Sequence, residues 1–125
     1  MSDLQNKSKK TEVVAIFCSD IHLSHKPPIA RSAEPDWYEA MSRPLEELRQ
    51  LRKDTNPEIP IICAGDIFDR ASSNSKLVNF AMEHLPKMIA IPGQHDLIHH
   101  NYDNIKDTSF FTLHMAGRIT NIRIP

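Results

Sequence analysis

Glycine is nearly missing from this chain, with three in 125 residues, at positions 65, 93 and 117. That scarcity excludes collagen-like and Gly-rich low-complexity architectures, and it makes each glycine worth placing individually. Cysteine is rarer still. Cys18 and Cys63 are too few for a disulfide framework or a zinc knuckle, and each closes an apolar run, as a small buried hydrophobe does. Also absent is any apolar stretch near the roughly 18 residues of a membrane span, and the opening "MSDLQNKSKK" has no hydrophobic segment of a secretion signal. These absences predict a cytoplasmic protein without a membrane partner, led by a polar tail over residues 1–11. Neither charge sign dominates, with 15 basic and 16 acidic residues and a formal net charge of −1. An anionic substrate must therefore be held by local charge, such as bound metal, and not by the field of the whole molecule. What remains is ordinary for one soluble domain or part of one: 40% hydrophobic and 25% charged residues.

Short β-branched runs at 12–18 ("EVVAIFC"), 59–64 ("IPIICA") and 87–91 ("KMIAI") lack helical periodicity, as expected of strands covered on both faces. Pro60 belongs at a strand start, where no ladder bond is lost. Between the runs lie helical patterns. Trp37, Met41, Leu45, Leu48 and Leu51 recur at spacings of three and four behind Asp36, a natural N-cap. Pro44 falls inside that pattern and predicts a kink or a break into two helices. A second helix is predicted over 74–85 and a third over 104–116, stopped by Gly117 before a last extended segment, "RITNIRI". Strand and helix alternate, which predicts an α/β fold with parallel neighbours. In such sheets the ligand site lies beyond the carboxyl ends of the strands.

Each of the first three strands is followed at once by a polar cluster: "SDIHLSH", "GDIFDR" and "PGQHD". Asp20 and His22 are separated by one residue, so in an extended or tightly turned segment both leave the backbone on the same side and can share a metal ion. Asp66 follows Gly65, whose missing side chain permits a sharp turn, and a carboxylate with two oxygens can bridge two metals. Gln94 and His95, after Gly93, add a neutral oxygen ligand and an imidazole. Singly these clusters are common turns; together, at three strand ends, they suit a two-metal hydrolytic centre for phosphate esters.

The segments "DIH" at 20–22, "GDIFDR" at 65–70 and "GQHD" at 93–96 resemble the first three motifs of the calcineurin-like metallophosphoesterase superfamily, over residues 13 to about 97. The "AGDIFDR" form is most similar to the branch containing the nuclease subunit of double-strand-break repair complexes and related phage enzymes. The resemblance implies that Asp20 and His22 bind the first metal, that Asp66 bridges both, and that Gln94 binds the second. It gives His95 a general-acid role toward the leaving alkoxide, with Asp96 orienting it through a hydrogen bond. Asp69 and Arg70 then support a ligand or touch phosphate. Two divalent metal ions are implied. Mn²⁺ suits the mixture of oxygen and imidazole donors best, and Mg²⁺, Fe²⁺ and Zn²⁺ are the alternatives.

The chain departs from the family pattern twice. Gln94 stands where Asn is usual, and its extra methylene moves the amide oxygen by roughly 1.5 Å, so it ligates with a curled side chain or from a withdrawn loop, or else contacts substrate while a water takes its place. Nothing after Gly117 resembles the later histidine and Gly-His-x-His segment of the family. The resemblance thus implies the first strand-helix-strand-helix-strand half of a two-sheet sandwich. On that resemblance residues 12–125 are expected to form a domain incomplete at its C-terminus, completed by a missing half or a second chain.

His25, His84 and His114 are most simply loop and helix residues, and His99 and His100 are as readily solvated as near substrate. Arg31, Arg43, Arg49, Arg52 and Lys53 can touch a nucleic-acid backbone, but on an amphipathic helix they more simply form its solvated face. The expected activity is hydrolysis of a phosphodiester, with DNA as the leading substrate. The rivals are a phosphomonoesterase or nucleotide phosphatase, and a noncatalytic half-domain that needs a partner chain.

Overall fold

The computed structural model describes residues 11–122, so all but the last residue of the expected N-terminal tail lies outside the described residues. Four strands, β1 (Ile16–Cys18), β2 (Ile61–Cys63), β3 (Met88–Ala90) and β4 (Ile119–Asn121), form one sheet in the order β1-β2-β3-β4. Every neighbouring pair is parallel. Three helices alternate with them: α1 (Trp37–Thr55), α2 (Ser75–His84) and α3 (Ser109–Met115). The expected α/β alternation is the observed one.

The period of two along each strand divides the sheet into two unlike faces. Ile61, Cys63, Met88, Ala90 and Ile119 are buried in one cluster with Met41 and Leu45 of α1, Leu77, Phe80 and Ala81 of α2, and Phe110 and Leu113 of α3. The helices therefore cover one face. On the other face, Ile62 pairs with Phe17 and Ile89, and Ile89 with Thr120. There Phe17 is 73% exposed and Ile62 and Ile89 are only half-buried, so this face is open among the described residues.

Three expectations are corrected. The first strand is shorter than 12–18, because its partner β2 starts only after Pro60. Ile16 donates to the Pro60 carbonyl at 3.0 Å, and Val13 and Val14 lie exposed without a ladder. Pro44 does not split its helix: α1 runs unbroken from Trp37 to Thr55, capped by Asp36, which accepts from the Glu39 N–H. Burying Ala40, Met41 and Leu45 around the proline, at about 1.5–3 kcal/mol for a large side chain, offsets the roughly 3 kcal/mol such a residue costs inside a helix. The predicted 104–116 helix is two pieces, a 3-10 turn at Tyr102–Asp107 and α3. Ser109 sends its backbone N–H to the Ala71 carbonyl at 2.8 Å, and Thr108 caps α3 by accepting from Phe111, so the helical ladder cannot run through. Gly117 stops α3 as expected, with φ +72°.

Candidate metal centre

The apolar residues inside the polar motifs hold the site in place. Leu23, Ile67 and Phe68 are buried, and beyond the strand ends the chain continues to pair: Asp20, His22 and Leu23 donate to the carbonyls of Gly65, Asp66 and Ile67 at 3.0, 2.9 and 2.8 Å. This zips the loop after β1 to the loop after β2. The loop after β3 approaches so closely that a Cβ on Gly65, which has φ +121°, would lie 2.8 Å from the Gly93 Cα. A Cβ on Gly93 would fall on the Asp66 carboxylate. Both glycines are therefore required by close packing of the loops that carry the polar residues.

His22 stands at the middle. Its Nε2 is 3.3 Å from Asp20 Oδ1 and 3.7 Å from Asp66 Oδ2, while its Nδ1 is 3.3 Å from Asp69 Oδ1. A carboxylate on one ring nitrogen and open donors at the other is how proteins orient a ligating imidazole. Ser19 donates to the second oxygen of Asp20 at 2.7 Å. His95 packs edge-on to His22, with ring centroids 5.0 Å apart. It donates its backbone N–H to Asp66 Oδ1 at 2.9 Å, and its Nδ1 lies 3.1 Å from Asp66 Oδ2. Burial acts to raise the Asp66 carboxyl, but the two hydrogen bonds from His95 and the charges of His95 and His22 outweigh it and hold the group below its ordinary value.

His22, Asp66 and His95 offer ligand atoms that all lie within 4.8 Å of one another, and their donor set, two imidazoles and a carboxylate, fits a divalent ion. Asp20, although hydrogen-bonded to His22, is more exposed and stands just outside that tight group. Gln94 is exposed at the start of a 3-10 turn, Gln94–Asp96. His95, expected only as an acid, is thus also in reach of an ion. Asp20, His22 and Asp66 share a further property: all are non-glycine residues with positive φ, at 57°, 50° and 55°.

The orienting role expected of Asp96 is corrected. Its carboxylate is fully buried and accepts from three backbone N–H groups: Phe68 at 2.8 Å, Gly93 at 2.9 Å and Ile67 at 3.2 Å. It ties the second motif to the third, and Asp66 takes over the His95 ring. Burial pushes the Asp96 carboxyl up, against those three bonds.

Arg70 is exposed on the wall of a groove of about 480 Å³ that begins at His22 and continues past Lys26, Arg31 and Trp37. Lys26 and Trp37 went unnoticed as site residues in the sequence. Trp37 gave only a core signal, and it does pack on the core while donating from Nε1 to the Ser24 carbonyl. Among the remaining histidines, His25 is 2.8 Å from the Tyr38 hydroxyl, His84 stacks on Phe80, and His114 accepts from the Asn121 N–H. His99 and His100 both have positive φ, and the His100 ring is 6.4 Å from that of His95.

The family model described as calcineurin-like phosphoesterase matches residues 14–123 of the chain. No match is found among curated proteins.

Proposed function

The chain belongs to the calcineurin-like phosphoesterase family, whose chemistry is metal-dependent hydrolysis of phosphate esters, and on that premise we propose that it cleaves phosphodiesters, with DNA as the leading substrate. One observation carries this reading: His22, Asp66 and His95, from three separate strand ends, converge within 4.8 Å beside a groove lined by Lys26, Arg31 and Arg70. Divalent ions, when bound, supply Lewis-acid charge for the phosphoryl oxygens and the acidity that makes water a nucleophile near neutral pH. His22, Asp66 and Asp20 would hold them, with Gln94 a further oxygen donor, and Mn²⁺ is the ion we favour for this mixed donor set.

The protein's own residues do the rest. Asp69 fixes the His22 ring through Nδ1, so that Nε2 faces the site. Asp66 fixes His95 from both its backbone and its ring, leaving Nε2 as the nitrogen that faces substrate. As water attacks phosphorus and the bond to the leaving oxygen breaks, His95 Nε2 passes a proton to that oxygen. Arg70 and Lys26, on the groove wall, hold the flanking anionic oxygens. We assign the chain to the nuclease and phage branch of the family on the form of "AGDIFDR".

Titration with Mn²⁺, followed by electron paramagnetic resonance alongside hydrolysis of a chromogenic phosphodiester and its monoester, tests this. Asp66→Asn is expected to lose ion binding and turnover together, and His95→Ala to lose turnover by about 10²–10⁴-fold. Preference for the monoester would replace the diesterase reading with a phosphomonoesterase or nucleotide phosphatase. A second reading, a noncatalytic half-domain that needs a partner chain, is favoured by the open sheet face. Parallel sheets are ordinarily covered on both sides, and Phe17 is 73% exposed. Ion binding by the wild-type chain with no turnover of either ester would select that reading.

A further inference from the structure

At the opposite edge of the sheet, where the strands begin, five cations converge from three parts of the chain. Arg49, Arg52 and Lys53 come from the last turns of α1, Lys87 precedes β3 and Arg118 precedes β4, and together they line an open cavity of about 360 Å³. None of the five has a carboxylate within 4.0 Å among the described residues, whereas Arg43 on the same helix pairs with both Glu34 and Glu39.

Two residues of the helix face that the sequence reads as solvated, Arg49 and Arg52, are half-buried and hydrogen-bonded to distant backbone. Arg49 donates to the carbonyls of Glu83 and Leu85 at 3.0 and 2.9 Å, Arg52 to that of Lys87 at 3.0 Å, and Arg118 to that of Leu85 at 2.7 Å. The carbonyls of Glu83 and Leu85 belong to the C-terminal end of α2, where cations are favoured, and that of Lys87 follows just before β3. They fix the guanidinium planes but carry no full negative charge. The Nε atoms of Arg49 and Arg118 are buried without a partner. Burial, and after it the charge of Arg49, pushes Arg118 below its ordinary value. Carbonyl capping explains why three arginines gather here and leaves the accumulated charge, with two lysines added at the rim, without a counterion.

We propose that this pocket binds a multiply charged phosphate oxyanion, at a site separate from the metal centre and independent of hydrolysis. The pinned guanidiniums offer planar donors, and the exposed Lys53 and Lys87 close the rim as mobile point charges. A free oligophosphate and the backbone of a nucleic acid present the same chemistry.

Isothermal titration of the full chain with inorganic pyrophosphate, in excess chelator, tests the pocket without loading the metal centre. Saturable binding is expected in the wild type and in Asp66→Asn alike, and weakened tenfold or more in Lys53→Gln/Lys87→Gln. Those lysines are chosen because their side chains hold no backbone group, and far-UV circular dichroism verifies the fold. A single-stranded oligonucleotide that displaces pyrophosphate identifies the source as nucleic acid, and one that does not identifies free oligophosphate; both outcomes support the site. Absence of pyrophosphate binding in the wild type, or equal binding by the double-lysine variant, overturns it. Loss of turnover elsewhere has no bearing, since nothing in the titration requires catalysis.

Discussion

Asp96 offers the sharpest test of how the loops are held, because it is a fully buried carboxylate whose partners are all backbone. Oδ1 accepts from Phe68, and Oδ2 accepts from both Ile67 and Gly93. Asp96→Asn keeps the shape but has one oxygen. Its best orientation leaves that oxygen at the position taking two donors and turns its NH₂ against the Phe68 N–H. One buried donor is then orphaned, at about 1–3 kcal/mol, and relief of the buried charge places the loss toward the low end of that range. Asp96→Ala orphans all three donors, for a loss of roughly 3–9 kcal/mol by the same reckoning. Against a typical stability of about 5–15 kcal/mol, the alanine variant stands near its unfolding midpoint in water, while the asparagine variant stays folded. Urea titration, followed by the fluorescence of the single Trp37 and by circular dichroism, separates the two. Since the three donors belong to the loops that carry Asp66 and His95, the asparagine variant should also bind Mn²⁺ more weakly. An alanine variant no less stable than the asparagine one would refute the count of donors.

Gly93→Ala puts a methyl group onto the Asp66 carboxylate, so Mn²⁺ binding should fall by at least tenfold while circular dichroism changes little; unchanged affinity would show that the loop gives way freely. Asp69→Asn removes the charge behind His22 Nδ1 and keeps the acceptor, and metal affinity is expected to drop about 10–100-fold in a competition titration. The Asp66 carboxyl is held below its ordinary value in the folded chain, so its stabilisation is present above the unfolded value near ~3.9 and is lost as pH falls through the folded one. In chelator, the stability advantage of wild type over Asp66→Asn should therefore shrink as the pH falls below about 4; an advantage that grows there would contradict the sign.

Which of these features the sequence disclosed follows from how far each reaches along the chain. Local patterns were legible: the three polar clusters directly follow β1, β2 and β3, Asp36 caps α1, and Gly117 ends α3. Spacing of one residue put Asp20 and His22 on one side of the backbone, and they do meet, at 3.3 Å. Features set by distant backbone were not legible. The carboxylate of Asp96 turns inward because the N–H groups of Ile67 and Phe68 arrive there unpaired, from 29 and 28 residues upstream. Arg49 and Arg52 bond to carbonyls 34 to 36 residues downstream, which no helical pattern within α1 announces.

The backbone itself adds a separate reason to place the chemistry at these loops. A chain that needed only to turn after β1 and β2 would use glycine, as it does at Gly65, where φ is +121°. Instead Asp20, His22 and Asp66 carry positive φ, which costs up to about 1–3 kcal/mol per residue for a side chain held in that region, although Asp and His tolerate it better than most. The conformation persists because the N–H groups of Asp20 and His22 are committed to the carbonyls of Gly65 and Asp66 across the loop pair. Glycine in those places would relieve the strain and keep every one of these backbone bonds. What it would remove is the two carboxylates and the imidazole, so the strain is retained for the side chains: His22 and Asp66 belong to the group that could hold an ion, and Asp20 is hydrogen-bonded to His22 beside it.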